Sequence, residues 1–415
     1  MDKKLKDLLE NSFPENIYNP SKPTIRLQEV NYDTQEVEEA LKSLLSTYVV
    51  MGEKTKLFEQ LWSRWIGRKH SVFVNSGTSG LLLAMMWIKF KKSTSIKNEI
   101  LIPAVTWSTS IFPAIIVGLK PVLVDVDLSN LCTNSFAEHI SDNTVAILPV
   151  HLMGHACNME VIMEEAKKHN LVVVEDCCEA HGAKYNRKKV GTFGDVGVWS
   201  SMFAHHISTI EGGLISSDRV ELDDLFRMFR AHGWVRDISK DKKNEIINNN
   251  VNIDPSFLFP ELGLNVRPTE INAAFGIHQV QKIDSFIEKR RSAFQNIHDQ
   301  LKDFEKYFTF FPEQKNEYFS PFAFPILLKN NAPFSRKEII NHLTKSRIEH
   351  RPIAGSNMAQ QPFMKNYGQL LEISDNLPNA KKIHENGFFI GVNHQTNDLR
   401  IEYIVKSFKS FLKKY

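Results

Sequence analysis

Short apolar runs without polar alternation recur through the first half of the chain. They are Ile100-Leu101-Ile102-Pro103, Pro121-Val122-Leu123-Val124-Asp125-Val126, Val145-Ala146-Ile147-Leu148-Pro149-Val150 and Leu171-Val172-Val173-Val174-Glu175-Asp176. Unbroken runs of this kind suit strands buried on both faces of a parallel sheet. Amphipathic stretches lie between them, and residues 81–90 and 158–169 are expected to be helices. In the second, Asn158 stands at the cap position, and Ile162, Met163 and Ala166 fall at helical spacing. Strand runs alternating with helical stretches predict an α/β fold with crossover helices.

Further along, residues 237–252 are rich in Lys and Asn with few apolar anchors, which predicts a loop, a mobile excursion or lid. A long helical pattern over 270–294 then leads into a mixed region ending in residues 401–415. At 415 residues the chain exceeds the usual size of one core. The expected division is a large domain over 1–267 and a smaller α+β domain over 268–415. No internal repeat is present, which argues against a solenoid.

Composition narrows the function classes. Lys and Arg total 51 against 48 Asp and Glu, and a net charge of +3 is too small for a general nucleic-acid or membrane surface. No stretch approaches the ~18 uninterrupted apolar residues of a membrane span. Residues 1–14 lack the apolar centre of a leader, so a cytoplasmic protein is expected. Four cysteines, Cys132, Cys157, Cys177 and Cys178, are few and irregularly spaced, which fits reduced thiols.

Candidate chemistry begins at Val174-Glu175-Asp176-Cys177-Cys178-Glu179-Ala180-His181, because an acid directly after a buried strand sits at the carboxyl end of a sheet, where α/β folds bind ligands. A second segment runs from Gly194-Asp195-Val196 through Ser200 and His205-His206 to Glu211-Gly212-Gly213: a strand, a polar turn and a glycine pair. Together with Gly52, Phe58-Glu59, the Asn75-Ser76-Gly77-Thr78-Ser79 turn, Pro103-Ala104-Val105-Thr106-Trp107 and Asn265-Val266-Arg267, these motifs resemble, in order and over nearly the whole chain, the DegT/StrS-type family of PLP-dependent sugar aminotransferases. That family is a branch of the aspartate aminotransferase fold, so the resemblance implies fold type I. Such a fold has a mostly parallel central sheet in its large domain.

The resemblance also implies roles. A pyridine ring draws electrons well while its nitrogen stays protonated, and Asp176 resembles the carboxylate that keeps it so. Trp107 resembles the aromatic lid over the ring. Gly77 and Thr78 form the turn whose backbone amides meet the cofactor phosphate. Ser200 resembles the hydroxyl contact to that phosphate, and Asn265 the contact lent by a second subunit, which implies a homodimer with shared sites. Glu179 is placed near the cofactor's hydroxyl. His206, Arg236 and Arg351 are candidate contacts to the sugar or its diphosphate.

One position departs from the family pattern. The Schiff-base lysine should stand six residues before Glu211, and this chain has His205 there, with no lysine between Lys189 and Lys240. Without that amine the covalent link that ordinarily holds PLP cannot form. The change resembles a small branch, the nucleotide-sugar 3-dehydratases that act on substrates such as GDP-4-keto-6-deoxymannose. There the cofactor rests as PMP, glutamate is the amino donor, and a histidine is the general base that takes a proton from the cofactor's C4′ carbon so that the C3 hydroxyl is expelled. An iron–sulfur cluster held by cysteines after the histidine segment, as in a related CDP-sugar dehydrase, is not expected, since no cysteine follows Cys178. Two other readings stay open at this point: a nucleotide-sugar aminotransferase, and a non-catalytic sugar-nucleotide binder of the same fold.

Overall fold

A computed structural model describes residues 3–13 and 18–415; residues 1–2 and 14–17, part of the stretch read for a leader, lie outside the described residues. The apolar runs become the centre of an eight-stranded sheet. In spatial order its strands are His70–Val74, Gly213–Ser217, Val196–Ser200, Val172–Asp176, Thr144–Ile147, Glu99–Pro103, Lys120–Val124 and Glu372–Ile373. The last six run parallel, whereas Gly213–Ser217 is antiparallel to both of its neighbours. All the residues of Glu99–Pro103 and Val172–Asp176 are buried, which explains the absence of polar alternation.

Helices cover the sheet. Met159–His169 begins where expected, with the Asn158 side chain accepting from the Val161 N–H. The helix expected over 81–90 starts earlier, as Gly77–Lys91, because Ser76 caps it by accepting from the Ser79 N–H. The long helix Glu270–Leu301 overruns its expected end at 294, since Ile297 and Leu301 continue the buried face of a second core. That second core surrounds a four-stranded antiparallel sheet in the order Phe308–Phe310, Phe324–Leu328, Gly387–Ile390, His350–Arg351. The short strand Glu372–Ile373, also from the C-terminal part, joins the edge of the large sheet.

The loop expected over 237–252 is corrected by a helix, Lys240–Asn248. Its anchor is tertiary: Asp224 accepts from both the Ser239 N–H and its hydroxyl just before the helix, and Ile246 is buried against the main core. One buried isoleucine among Lys and Asn gives little periodic signal. None of the described helices is long and apolar enough to cross a membrane.

Residues 25–31 run along the seam between the two cores. Ile25 exchanges backbone hydrogen bonds with Arg347 and Glu349, Gln395 donates to the Val30 carbonyl, and Gln279 donates to the carbonyl of Asn31. This strap brings Leu27 and Gln28 to the wall of a cavity between the cores.

Candidate active site

A cavity of ~800 Å³ opens at the carboxyl ends of the parallel strands, between the two cores. On its large-sheet side it is lined by Gly77, Thr78, Trp107, Asp176, Glu179, Ser200 and His205, and on the other side by Arg336 and Arg351. Among the described residues, the lining contains no lysine.

The strand Val172–Asp176 ends in two acids with opposite fates. Glu175 accepts from the N–H groups of Gly191, Phe193 and Gly194 and meets His151 Nε2 at 3.2 Å. Burial works against its ionisation, yet His151 and these amides hold the carboxyl below its ordinary range. Asp176, on the other face of the strand, accepts from the Ser110 hydroxyl at 2.7 Å and the Cys178 N–H at 3.1 Å and otherwise opens to the cavity. Ser110 is in turn 2.6 Å from the Thr106 hydroxyl, one residue before Trp107. No helix follows Asp176 directly, so it is not a helix cap.

Across the floor, the first turn of Gly77–Lys91 presents its free amides to the cavity. Its packing is tight. A methyl group on Gly77 would meet Ser200 Cβ at 2.8 Å, and one on Gly213 would lie 2.4 Å from Gly77 N and from the Ser76 carbonyl carbon. The glycine pair after Glu211 therefore exists to let a strand backbone approach the helix N-terminus. Trp107 stands over the cavity with its indole half exposed.

Glu179 is pushed up to about 7, chiefly by burial and further by Asp176, while the Met153 N–H it accepts at 3.0 Å works in the opposite direction. His205 is pushed down to about 4, mainly by burial and further by the charge of Arg290, with the nearby Cys178 carbonyl opposing. Its imidazole is neutral at pH 7, and its Nδ1 is buried without a hydrogen-bond partner. A ring in this state has a lone pair free to take a proton.

Three candidates from the sequence lie outside the cavity wall. His206 is buried behind His205, with Nε2 3.2 Å from both the carbonyl and the hydroxyl of Ser320. Arg236 stacks over Trp234 and pairs with Asp237. Asn265 is exposed and accepts from Arg267 Nε.

Residues that sequence reasoning missed complete the wall. Arg336 enters it with a buried Nε that has no partner, and Gln28 enters it from the strap. Neither has a local signature. His151, Glu175 and Cys177 have the spacing of a metal site. Their capacity is already used, because His151 Nδ1 accepts from the Cys157 N–H while its other nitrogen faces Glu175. All four cysteines are free.

The residues present fit a pyridoxal-type cofactor. A carboxylate opens at the sheet's end, a helix N-terminus with a serine beside it offers an anion cradle, and a flat indole stands above.

Comparison with known proteins agrees with this geometry. Residues 29–409 match the model of the DegT/DnrJ/EryC1/StrS aminotransferase family. The GDP-4-keto-6-deoxy-D-mannose 3-dehydratase of Escherichia coli O55:H7 is 35% identical over 361 residues, covering 86% of this chain and 92% of that protein. A crystal structure of a GDP-4-keto-6-deoxymannose-3-dehydratase mutant with bound GDP-perosamine superposes with a TM-score of 0.85 at 32% identity, over 92% of this chain and all of the other. Another, holding a trapped PLP-glutamate geminal diamine, gives a TM-score of 0.82 at 30% identity, again over 92% of this chain and all of the other.

Proposed function

The chain belongs to the DegT/DnrJ/EryC1/StrS aminotransferase family, and we propose that within it this protein is a PLP/PMP-dependent 3-dehydratase of a nucleotide-linked 4-keto-6-deoxy sugar. The observation that carries the reading is the cavity wall itself, where His205 stands and no lysine does. GDP-4-keto-6-deoxymannose, named for the 35% identical relative, is the first substrate to try.

When bound, the cofactor supplies an amine for the C4 ketone of the sugar and a protonated pyridine ring that draws electrons. The chain does the rest. Asp176, held by Ser110 and the Cys178 amide, keeps the ring nitrogen protonated. The amides of Gly77 and Thr78 and the Ser200 hydroxyl bind the phosphate, and Trp107 covers the ring face. Glu179, near half-protonation at neutral pH, is suited to share a hydrogen bond with the ring hydroxyl. Against a bound cofactor, His205 would take a proton at C4′ and would give it to the C3 hydroxyl, which would leave as water.

Arg336 and Arg351 mark the far end of the cavity as cationic, suited to the diphosphate of the substrate. Overall, the sugar exchanges its C3 hydroxyl for hydrogen, glutamate becomes 2-oxoglutarate, and ammonia is released.

The working unit is a homodimer in the cytoplasm. Support comes from apolar side chains left exposed: Val50, which bridges to Thr269 just before the long helix, and Leu45, Phe257 and Leu262 are between 58% and 71% exposed. Asn265, exposed and outside the cavity of its own chain, is the residue we assign to a partner's site.

Incubation of the purified protein with PMP, glutamate and GDP-4-keto-6-deoxymannose, followed by mass spectrometry, tests the reading. Loss of one oxygen from the sugar supports it. Gain of nitrogen at C4 points to an aminotransferase, and an unchanged sugar that still binds points to a silent binder; either outcome overturns it.

A further inference from the structure

Arg290, on the long helix, is fully buried and has no role in the chemistry above. Its guanidinium donates to the carbonyls of Phe322 and Val392 at 2.9 and 2.7 Å, to that of Pro321 at 3.4 Å, and to Gln28 Oε1 at 2.9 Å. None of these four bonds goes to a carboxylate. A buried charge without a counter-ion is costly, and elsewhere in this protein buried arginines are paired, as Arg230 is with Glu59. Gln28 uses its other end to donate to the His205 carbonyl at 3.3 Å. A two-bond link therefore runs from the fixed cation to the backbone of the residue that carries the proposed chemistry.

We propose that Arg290, acting through Gln28, is a positioning residue for His205, holding the turn that carries the imidazole against the cavity wall and setting a positive charge behind it. The inference rests on the reading of His205 as the base. The surroundings of the imidazole favour it. Behind His205 lie His181 and His206, both held neutral by burial with Arg290 adding to the effect, and His394, also near Arg290, is lowered by the same two causes. In front, Asp176, Cys178, Glu179 and Glu211 line the same cavity, with Arg336, Arg351 and His384 on its far wall. Burial lowers Arg290 to about 9, so among the groups at its back it is the one charged at neutral pH. It opposes protonation of the resting base, and it makes the imidazolium, once formed, a readier proton donor to the leaving hydroxyl.

The test uses the full-length PMP-bound protein with ¹³C-labelled histidines, His205→Asn identifying the His205 resonance, alongside kcat and KM for GDP-4-keto-6-deoxymannose. In Arg290→Met the His205 titration is expected to rise by about one pH unit, the usual effect of removing a nearby like charge. Arg290→Lys should keep the titration close to the original while lowering kcat. Gln28→Ala should leave the titration in place and lower kcat by about tenfold with KM little changed, as expected of a misplaced base rather than a lost substrate contact.

An unmoved titration in folded Arg290→Met overturns the proposal, as does Gln28→Ala with unaltered kcat or with a change in KM alone. If Arg290→Met does not fold, Arg290→Lys and Gln28→Ala decide. Should the wild-type protein dehydrate no sugar, the functional reading fails, while the titration still judges the link between Arg290 and His205.

Discussion

The substitution Gly213→Ala isolates the geometry of the phosphate cradle. The added methyl would sit 2.4 Å from Gly77 N and from the carbonyl carbon and oxygen of Ser76, all backbone atoms at the start of the capped helix Gly77–Lys91. Relief requires the helix N-terminus and the strand to part by roughly 1 Å, since unstrained carbon contacts lie near 3.5 Å. Overpacking of this size costs about 1–3 kcal/mol of stability. It also moves the amides of Gly77 and Thr78 from the positions that would bind the phosphate. Loss of one charge-assisted hydrogen bond, about 1.5–3 kcal/mol, weakens PMP binding by roughly 10–100-fold.

The assay is equilibrium dialysis of PMP against the purified variant, with thermal unfolding of the apoprotein in parallel. Gly368→Ala is the control, because a methyl there would be 3.4 Å from the flexible end of Met364, in a backbone conformation that alanine adopts freely. If Gly213→Ala binds PMP within about twofold of wild type and melts like Gly368→Ala, the tight approach of strand to helix is not what shapes the site.

Other changes follow from the same geometry. Asp176→Asn keeps the shape but loses the charge, and should reduce turnover at least about 100-fold with the melting temperature nearly unaltered; Glu175→Gln, one residue earlier, should show the reverse, a clear loss of thermal stability, since its charge accepts three backbone amides. His205→Lys should abolish loss of oxygen from the sugar and allow borohydride to trap cofactor on the protein, read by intact-mass spectrometry. Glu179 has a carboxyl raised to about 7, so its favourable protonated form is fully present below the unfolded value near 4.5 and is lost as pH rises through 7. Glu179→Gln should accordingly make the apoprotein more stable than wild type at pH 8.5, by an amount on the order of 3 kcal/mol, with the difference shrinking toward pH 5, as followed by urea unfolding at each pH.

Much of the architecture could be read from the chain because burial on both faces leaves a direct trace. Val172–Asp176 and Glu99–Pro103 are continuous apolar runs for the reason that each is covered on both sides. The Asn158 cap was equally plain, since its partner is three residues away. What escaped depends on distant partners. The helix Lys240–Asn248 is held by Asp224 and one buried isoleucine, neither of which alters the local polar pattern. Gln28 meets His205 across 177 residues and Arg290 across 262. Arg336 follows an ordinary serine cap, and only its unpartnered nitrogen at the cavity wall distinguishes it from a surface arginine. Motif order pointed to the large-sheet side of the cavity, whose residues sit in local turns; the opposite side comes from the C-terminal part of the chain, and of His206, Arg236 and Arg351, which the sequence offered for substrate, only Arg351 reaches the cavity.

Adjacent residues with identical chemistry show how the fold separates support from function. Glu175 and Asp176 end the same strand, and because side chains alternate across a sheet they face opposite ways. Glu175 turns toward backbone amides of the 191–194 turn and toward His151, and its acceptor capacity is consumed in fixing that turn. Asp176 turns to the cavity with two bonds that orient it and leave acceptor capacity over. The same contrast separates His151, both of whose nitrogens are engaged, from His205, whose Nδ1 has no partner. Buried polar groups are ordinarily satisfied within the chain. A carboxylate oriented by two bonds with acceptor capacity left over, and a neutral imidazole beside the same cavity, are what a site needs if its remaining partners are a cofactor and a substrate.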